Sequence, residues 1–145
     1  MTTAAHDPEI AAAIQRLHAA MADVANGDTS GIKALYSHTA DATSFYGWGG
    51  YEHGWAEVDR RWDWAGRQFK GGTVAYRPLT LVAAGELFYT TDIETFTVRL
   101  AGKDAPTTWS NRATHVCRRE AGEWRLIHRH ANRLEDQYEP AGRLK

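Results

Sequence analysis

The stretch Thr108 to Asn132, TWSNRATHVCRREAGEWRLIHRHAN, decides how this chain folds. Its first part is dense in β-branched and aromatic residues, and Trp124 to His130 repeats the same two-residue alternation, so the segment predicts two antiparallel strands. Glu120, Ala121 and Gly122 lie between them. Gly122 takes a positive φ without steric penalty, which predicts a three-residue loop closed by a glycine bulge. That loop pairs Arg119 with Glu123, His115 with Ile127 and Ala113 with Arg129; a two-residue loop would pair His115 with His128 and invert the faces of one strand. Under the three-residue reading Asn111, Ala113, His115 and Cys117 share a face with Arg125, Ile127, Arg129 and Ala131. Val116 then falls on the opposite face with Trp124, Leu126, His128 and His130.

Toward the N-terminus, Leu87 to Leu100 reads as a long strand. Pairing it to the next strand about Lys103-Asp104 puts Asp92 opposite His115 and Glu94 opposite Ala113. Directly opposed Cβ atoms stand about 4.5–5.5 Å apart, so an Asp92–His115 hydrogen bond is expected to be within reach. A further strand runs from Thr73 through Val82, with Pro78 as a bulge or edge irregularity. Helices precede these strands. Asp7-Pro8-Glu9 is a helix start, followed by Ile10, Ile14, Leu17, Met21 and Val24 at helical spacing and closed by Asn26-Gly27. Asp28-Thr29-Ser30 caps a short helix through Tyr36, and Asp41 to Tyr46 alternates as a strand. The glycine-rich Gly47-Trp48-Gly49-Gly50 fits no phosphate-loop spacing and reads as a turn whose aromatic neighbours cover a cavity. A third helix spans about Trp55 to Phe69, with Val58, Trp62, Ala65 and Phe69 on one face and Gly71-Gly72 ending it. Three helices and a set of long antiparallel strands predict an α+β fold.

Composition narrows the function. A chain of 145 residues is one domain by default, with 1–6 and 135–145 expected to be flexible, and it can bury about 70% of its unfolded surface. Six Trp and six Tyr point to a thick core, a large pocket or an interface. The net charge of −1 and the lack of a basic run argue against nucleic acid or a membrane surface as partner. With one cysteine, Cys117, no intrachain disulfide or CxxC zinc site can form. No signal peptide or transmembrane-length run is visible, and a cytoplasmic protein is expected.

Two segments together resemble a known family. The ending R-x-T-H-V-x-R-R-x-x-G-x-W-R-L-I-H-x-H, Arg112 to His130, and the earlier Leu35-Tyr36, Asp41, Gly47, Gly54-Trp55 and Val58 are similar to SnoaL-like and ketosteroid-isomerase-like proteins of the nuclear transport factor 2-like superfamily. The resemblance implies a cone in which a curved antiparallel sheet wraps three N-terminal helices around a deep pocket. It also implies a homodimer through the outer sheet face, for which Trp124, Leu126 and Val116 offer apolar area. The same ending resembles the association domain of calcium/calmodulin-dependent protein kinase, which assembles subunits and does no chemistry.

The resemblance implies cofactor-free acid/base chemistry of the isomerase, dehydratase or cyclase type on a small hydrophobic or carbonyl-bearing molecule. Asp92 or His115 would be the base, and Tyr46, Asn111 or Arg129 the donor to developing negative charge. Trp48 and Trp64 would wall the pocket, and Glu94 and His18 are further candidates for substrate contact. The alternative is a non-catalytic domain that binds a ligand or assembles subunits, with Arg129 pairing a ligand carboxylate. The chain departs from the isomerase pattern because its first helix has no Tyr, and from the dehydratase pattern at Ala25-Asn26-Gly27-Asp28. His128 and His130 share a face but lack a third ligand, so no metal is expected, and no cofactor.

Overall fold

The computed structural model describes residues 7–135 and 140–143, so the ends expected to be flexible lie largely outside the described residues. Asp7 caps the first helix, α1 (Pro8–Ala25), by accepting from the backbone N–H groups of Glu9 and Ile10. Its apolar stripe buries Ile10, Leu17, Met21 and Val24 against the sheet. A short α2 (Ser30–Leu35) leads into β1 (Thr43–Tyr46), a turn, β2 (Tyr51–His53) and α3 (Trp55–Gln68). Val58, Trp62 and Ala65 are the buried face of α3, as the helical spacing predicts. Four long strands follow: β3 (Phe69–Ala84), β4 (Leu87–Leu100), β5 (Pro106–Glu120) and β6 (Glu123–Arg133).

The six strands form one curved sheet that does not close, in the order β2-β1-β6-β5-β4-β3. All pairs are antiparallel except β1 with β6. The helices cover the inner face, giving the expected α+β cone. Along β4 the even positions from Phe88 to Val98 are buried, which aims Thr90, Asp92 and Glu94 inward with the apolar residues. Along β5, Asn111, Ala113, His115 and Cys117 point the same way, on the face the alternation predicts.

The hairpin between β5 and β6 is tighter than expected. Glu120 pairs with Glu123, so the loop is Ala121-Gly122 alone. Both residues have positive φ, 50° and 81°, the requirement of a two-residue hairpin turn whose twist matches the strands. A bulge then falls between Val116 and Cys117: Cys117 pairs with Leu126 but Val116 pairs with His128. The extra residue, Ile127, changes the facing of β6 partway along. Near the turn Trp124 and Leu126 point into the core, where they are 4% and 0% exposed. Beyond the bulge Arg129 and Ala131 point inward. Trp124 and Leu126 therefore belong to the core and not to the outer face assigned to them from the sequence.

Two other expectations are corrected. Gly71 and Gly72 do not end α3, which stops at Gln68; they sit in a register shift inside β3. There the backbones of β3 and β4 nearly touch, and a Cβ on Gly72 would lie 2.1 Å from the Thr97 carbonyl oxygen. The turn after β1 also continues into β2, a strand too short and polar to show an alternation. Pro78 does mark a register shift, between Pro78 and Thr80, on the outermost strand.

Candidate functional site

The inner sheet face carries a row of charged and polar side chains that the helices enclose. Glu94 is 0% exposed and Arg129 5%, and the two form a bidentate ion pair. Each Glu94 oxygen has a second donor: Asn111 Nδ2 donates to Oε1 at 3.0 Å and Tyr76 Oη to Oε2 at 3.0 Å. Burial alone would push the Glu94 carboxyl up, but the Arg129 charge and these donors pull it down to about 2. It is an anion with every acceptor position in use.

Arg129 Nη1 also lies 2.7 Å from His115 Nε2. A guanidinium can only donate, so Nε2 is the acceptor and the ring proton sits on Nδ1. Burial first, then the neighbouring Arg129 charge, lowers His115 to about 3 and keeps it neutral. Its Nδ1 has no partner among the described residues.

Asp92 is not beside His115 across the ladder. Thr90 faces His115, Ala113 faces Asp92, and Asn111 faces Glu94, a register two residues from the expected one. The turn is centred one residue earlier than Lys103-Asp104, and the even shift leaves every side chain on its expected face. Asp92 is 3% exposed, burial raises its carboxyl, and its Oδ2 has no hydrogen-bond partner among the described residues. His18, on α1, stacks on Tyr76 with ring centroids 3.9 Å apart, and burial lowers its pKa against the opposing pull of Asp92 and Glu94.

An open-ended cavity of about 390 Å³ adjoins this row. Of the residues singled out from the sequence, Tyr46, Trp48, Trp64, Asn111 and Arg129 line it. Asp92, His115, Glu94 and His18 do not; the first three are buried beside it, and His18 is partly exposed on α1. Trp48 stacks on Tyr46 at 5.1 Å and approaches Trp64 at 5.2 Å, so the glycine-flanked turn does carry a ring over the cavity, half exposed at its mouth. Phe69, Phe96 and Trp109 stack in a second aromatic wall. Arg61 lies over the rings of Tyr46 and Trp64 and pairs with Glu52 at 2.8 Å. Tyr46 Oη and Trp62 Nε1, both from lining residues, have no hydrogen-bond partner among the described residues, and burial raises Tyr46 to about 12. Trp62, expected to be pure core, thus also faces the cavity.

The sequence reading missed Tyr76, Phe96 and Trp109. Trp109 has the odd-numbered parity of Asn111 and His115, and Phe96 the even parity of Asp92 and Glu94, so the same alternation points to both. Tyr76 sits on β3, where the bulge at Pro78 blurs the period. Asp41 lies away from the cavity, exposed and held by Arg118 at 2.6 Å, whose hydrogen bonds lower its carboxyl. His128 and His130 are on the outer face, bonded to Thr43 and Asn132. Among the described residues no group of three His, Cys, Asp or Glu side chains could hold a metal ion.

A curved open sheet over three helices, with a lined hollow between them, is the architecture of the nuclear transport factor 2-like proteins. The chain belongs to the SnoaL-like domain family, whose model matches residues 10–132. It is similar to a nuclear transport factor 2-like superfamily protein from Salmonella enterica serovar Typhimurium, at 18% identity over 93% of this chain and 95% of that one, with a TM-score of 0.78. It is also similar to a candidate scytalone dehydratase from Novosphingobium aromaticivorans, at 13% identity over 93% and 95% of the two chains, TM-score 0.72. A third similar structure is a candidate calcium/calmodulin-dependent protein kinase type II association domain from Thiobacillus denitrificans, at 21% identity over 88% and 95%, TM-score 0.70. No curated protein sequence matches the chain.

Proposed function

We propose that this protein binds a flat, mainly apolar small molecule in the aromatic cavity and holds one of its oxygen atoms with hydrogen-bond donors at the floor. The observation that carries the reading is the combination of stacked aromatic walls with a floor at Arg129, whose orientation is fixed by Glu94 and His115. Tyr46 Oη and Trp62 Nε1 add unpartnered donors close by. A carbonyl oxygen suits such a floor. His115 serves here as a positioning residue, because its acceptor nitrogen is occupied by Arg129.

A second reading is favoured by Asp92. A buried carboxyl with a raised pKa and a free oxygen suits a general base, and similarity to a candidate dehydratase supports isomerase, dehydratase or cyclase chemistry without a cofactor. It ranks second because Asp92 does not line the cavity. A homodimer on the outer sheet face would rest on Phe45, Tyr51, Val82 and Tyr89, which are exposed there, in place of Trp124 and Leu126. Among the described residues no helix is long and apolar enough to cross a membrane.

The test is a panel of bicyclic and tricyclic aromatic ketones and acids, followed by thermal unfolding and tryptophan fluorescence. Binding at 100 times Kd should add about 2.7 kcal/mol of stability. Trp48→Ala and Trp64→Ala should weaken that effect. If no compound in the panel raises the melting temperature or quenches fluorescence, the binding reading fails. Conversion of a ketone, abolished in Asp92→Asn, would promote the second reading.

A further inference from the structure

The polar groups around the cavity are unequal in sign. Three lining side chains are cationic, Lys103, Arg129 and Arg133, and none is a carboxylate. Arg129 is neutralised in place by Glu94, so the floor offers donors without net charge. Lys103 and Arg133 are different: both are exposed, and among the described residues neither is in an ion pair. Lys103 stands in the turn between β4 and β5, and Arg133 ends β6. Arg133 lies over the ring of Trp109, 5.5 Å from its centroid, and Trp109 is itself a wall of the cavity.

We infer that the ligand is an aromatic or polycyclic carboxylate that enters ring-first, with an oxygen of its ring system at the Arg129 floor, and leaves its carboxylate at the mouth between Lys103 and Arg133. This deepens the binding reading above and rests on it. Position follows from solvation. An anion driven to the floor would lose its water beside a guanidinium already matched to Glu94, whereas at the mouth it meets two cations and keeps part of its hydration. The apolar body meanwhile fills the space between Trp109 and Phe96 on one side and Trp48 and Trp64 on the other. The pairing at the mouth is solvent-screened, so it is modest in strength and weakens with salt.

A matched pair of probes tests this: 6-hydroxy-2-naphthoate, an anion whose ring oxygen can meet the floor, and 6-hydroxy-2-acetonaphthone, its neutral ketone counterpart, titrated into the full chain by calorimetry. The acid should bind about threefold to tenfold more tightly at low salt, a difference of about 0.7–1.4 kcal/mol. That advantage should shrink in 0.5 M NaCl and vanish in the Lys103→Met/Arg133→Met double variant, in which the acid loses more affinity than the ketone. Both positions are exposed, and circular dichroism confirms that the variant folds. Equal binding of the two probes, or an advantage that survives the double variant, overturns the carboxylate inference and leaves the cavity reading standing. Binding of neither probe overturns both.

Discussion

His115 accepts a hydrogen bond through Nε2 from Nη1 of Arg129, 2.7 Å away, and both side chains are buried. The imidazole is therefore a neutral prop for a cation. Its folded-state pKa of about 3 lies below its ordinary value of 6.5, so the unfolded chain binds the proton more readily between those values. Stability from this group is complete above pH 6.5 and is lost as pH falls toward 3, by at most about 1.4 kcal/mol per pH unit. His18 and His128 are lowered by burial and act in the same sense. The expected outcome is a steeper loss of stability in the wild type than in His115→Gln between pH 6.5 and 5, measured by urea unfolding. Parallel pH curves would remove the neutral-prop assignment.

Arg129 and Glu94 should behave as one unit. Arg129→Met leaves a fully buried carboxylate without its counter-charge and should cost about 3–5 kcal/mol. Removing both charges in Glu94→Met/Arg129→Met should restore most of that stability while abolishing binding of any carbonyl ligand. Additive losses in the double variant would contradict the coupling.

Asp92→Asn separates stability from chemistry. The carboxyl is raised by burial, so its folded pKa lies above the unfolded one and its contribution falls as pH rises through that interval. The neutral amide should leave stability at pH 7 unchanged or increased. A large loss of stability would mean that Asp92 holds an interaction in its ionised form.

Backbone contact is decisive at Gly72. Gly72→Ala sets a methyl group 2.1 Å from the Thr97 oxygen and should cost about 2–4 kcal/mol. Gly50→Ala, with no atom within 4 Å of its Cβ, should change stability by less than about 0.5 kcal/mol. Comparable melting temperatures for the two variants would rule out the tight β3–β4 approach.

Much of this architecture is legible in the alternation of residues, and the errors in which face a residue takes have one cause. Parity survives an even register error and is destroyed by an odd one. Pairing β4 to β5 two residues out of step misnames the neighbours of His115 but leaves Asp92, Glu94, Asn111 and His115 on the inner face. On β6 the two-residue turn moves Trp124 and Leu126 from the predicted outer face into the core, and the bulge at Ile127 brings Arg129 and Ala131 back to the predicted side. Nothing local in WRLIHRHA announces that bulge. It arises because Trp124 and Leu126 must pack near the turn while Arg129 must meet Glu94 farther along. The cavity is likewise a property of α1, α3 and the sheet together, and its aromatic walls come from α3, β1, β3, β4, β5 and the turn after β1.

An unclosed sheet leaves β3 with one row of backbone groups that no strand among the described residues satisfies. The Asn26 side chain bonds both backbone groups of Gly72, but the rest of so long an edge would ordinarily invite a stranger's strand and, with it, runaway polymerisation. Pro78 removes one amide from that row, and the slips at Gly72 and Pro78 break the remainder into short, differently twisted pieces. The irregularities that obscure β3 in the sequence are thus its safeguard against fibre formation, and straightening them would trade solubility for regularity.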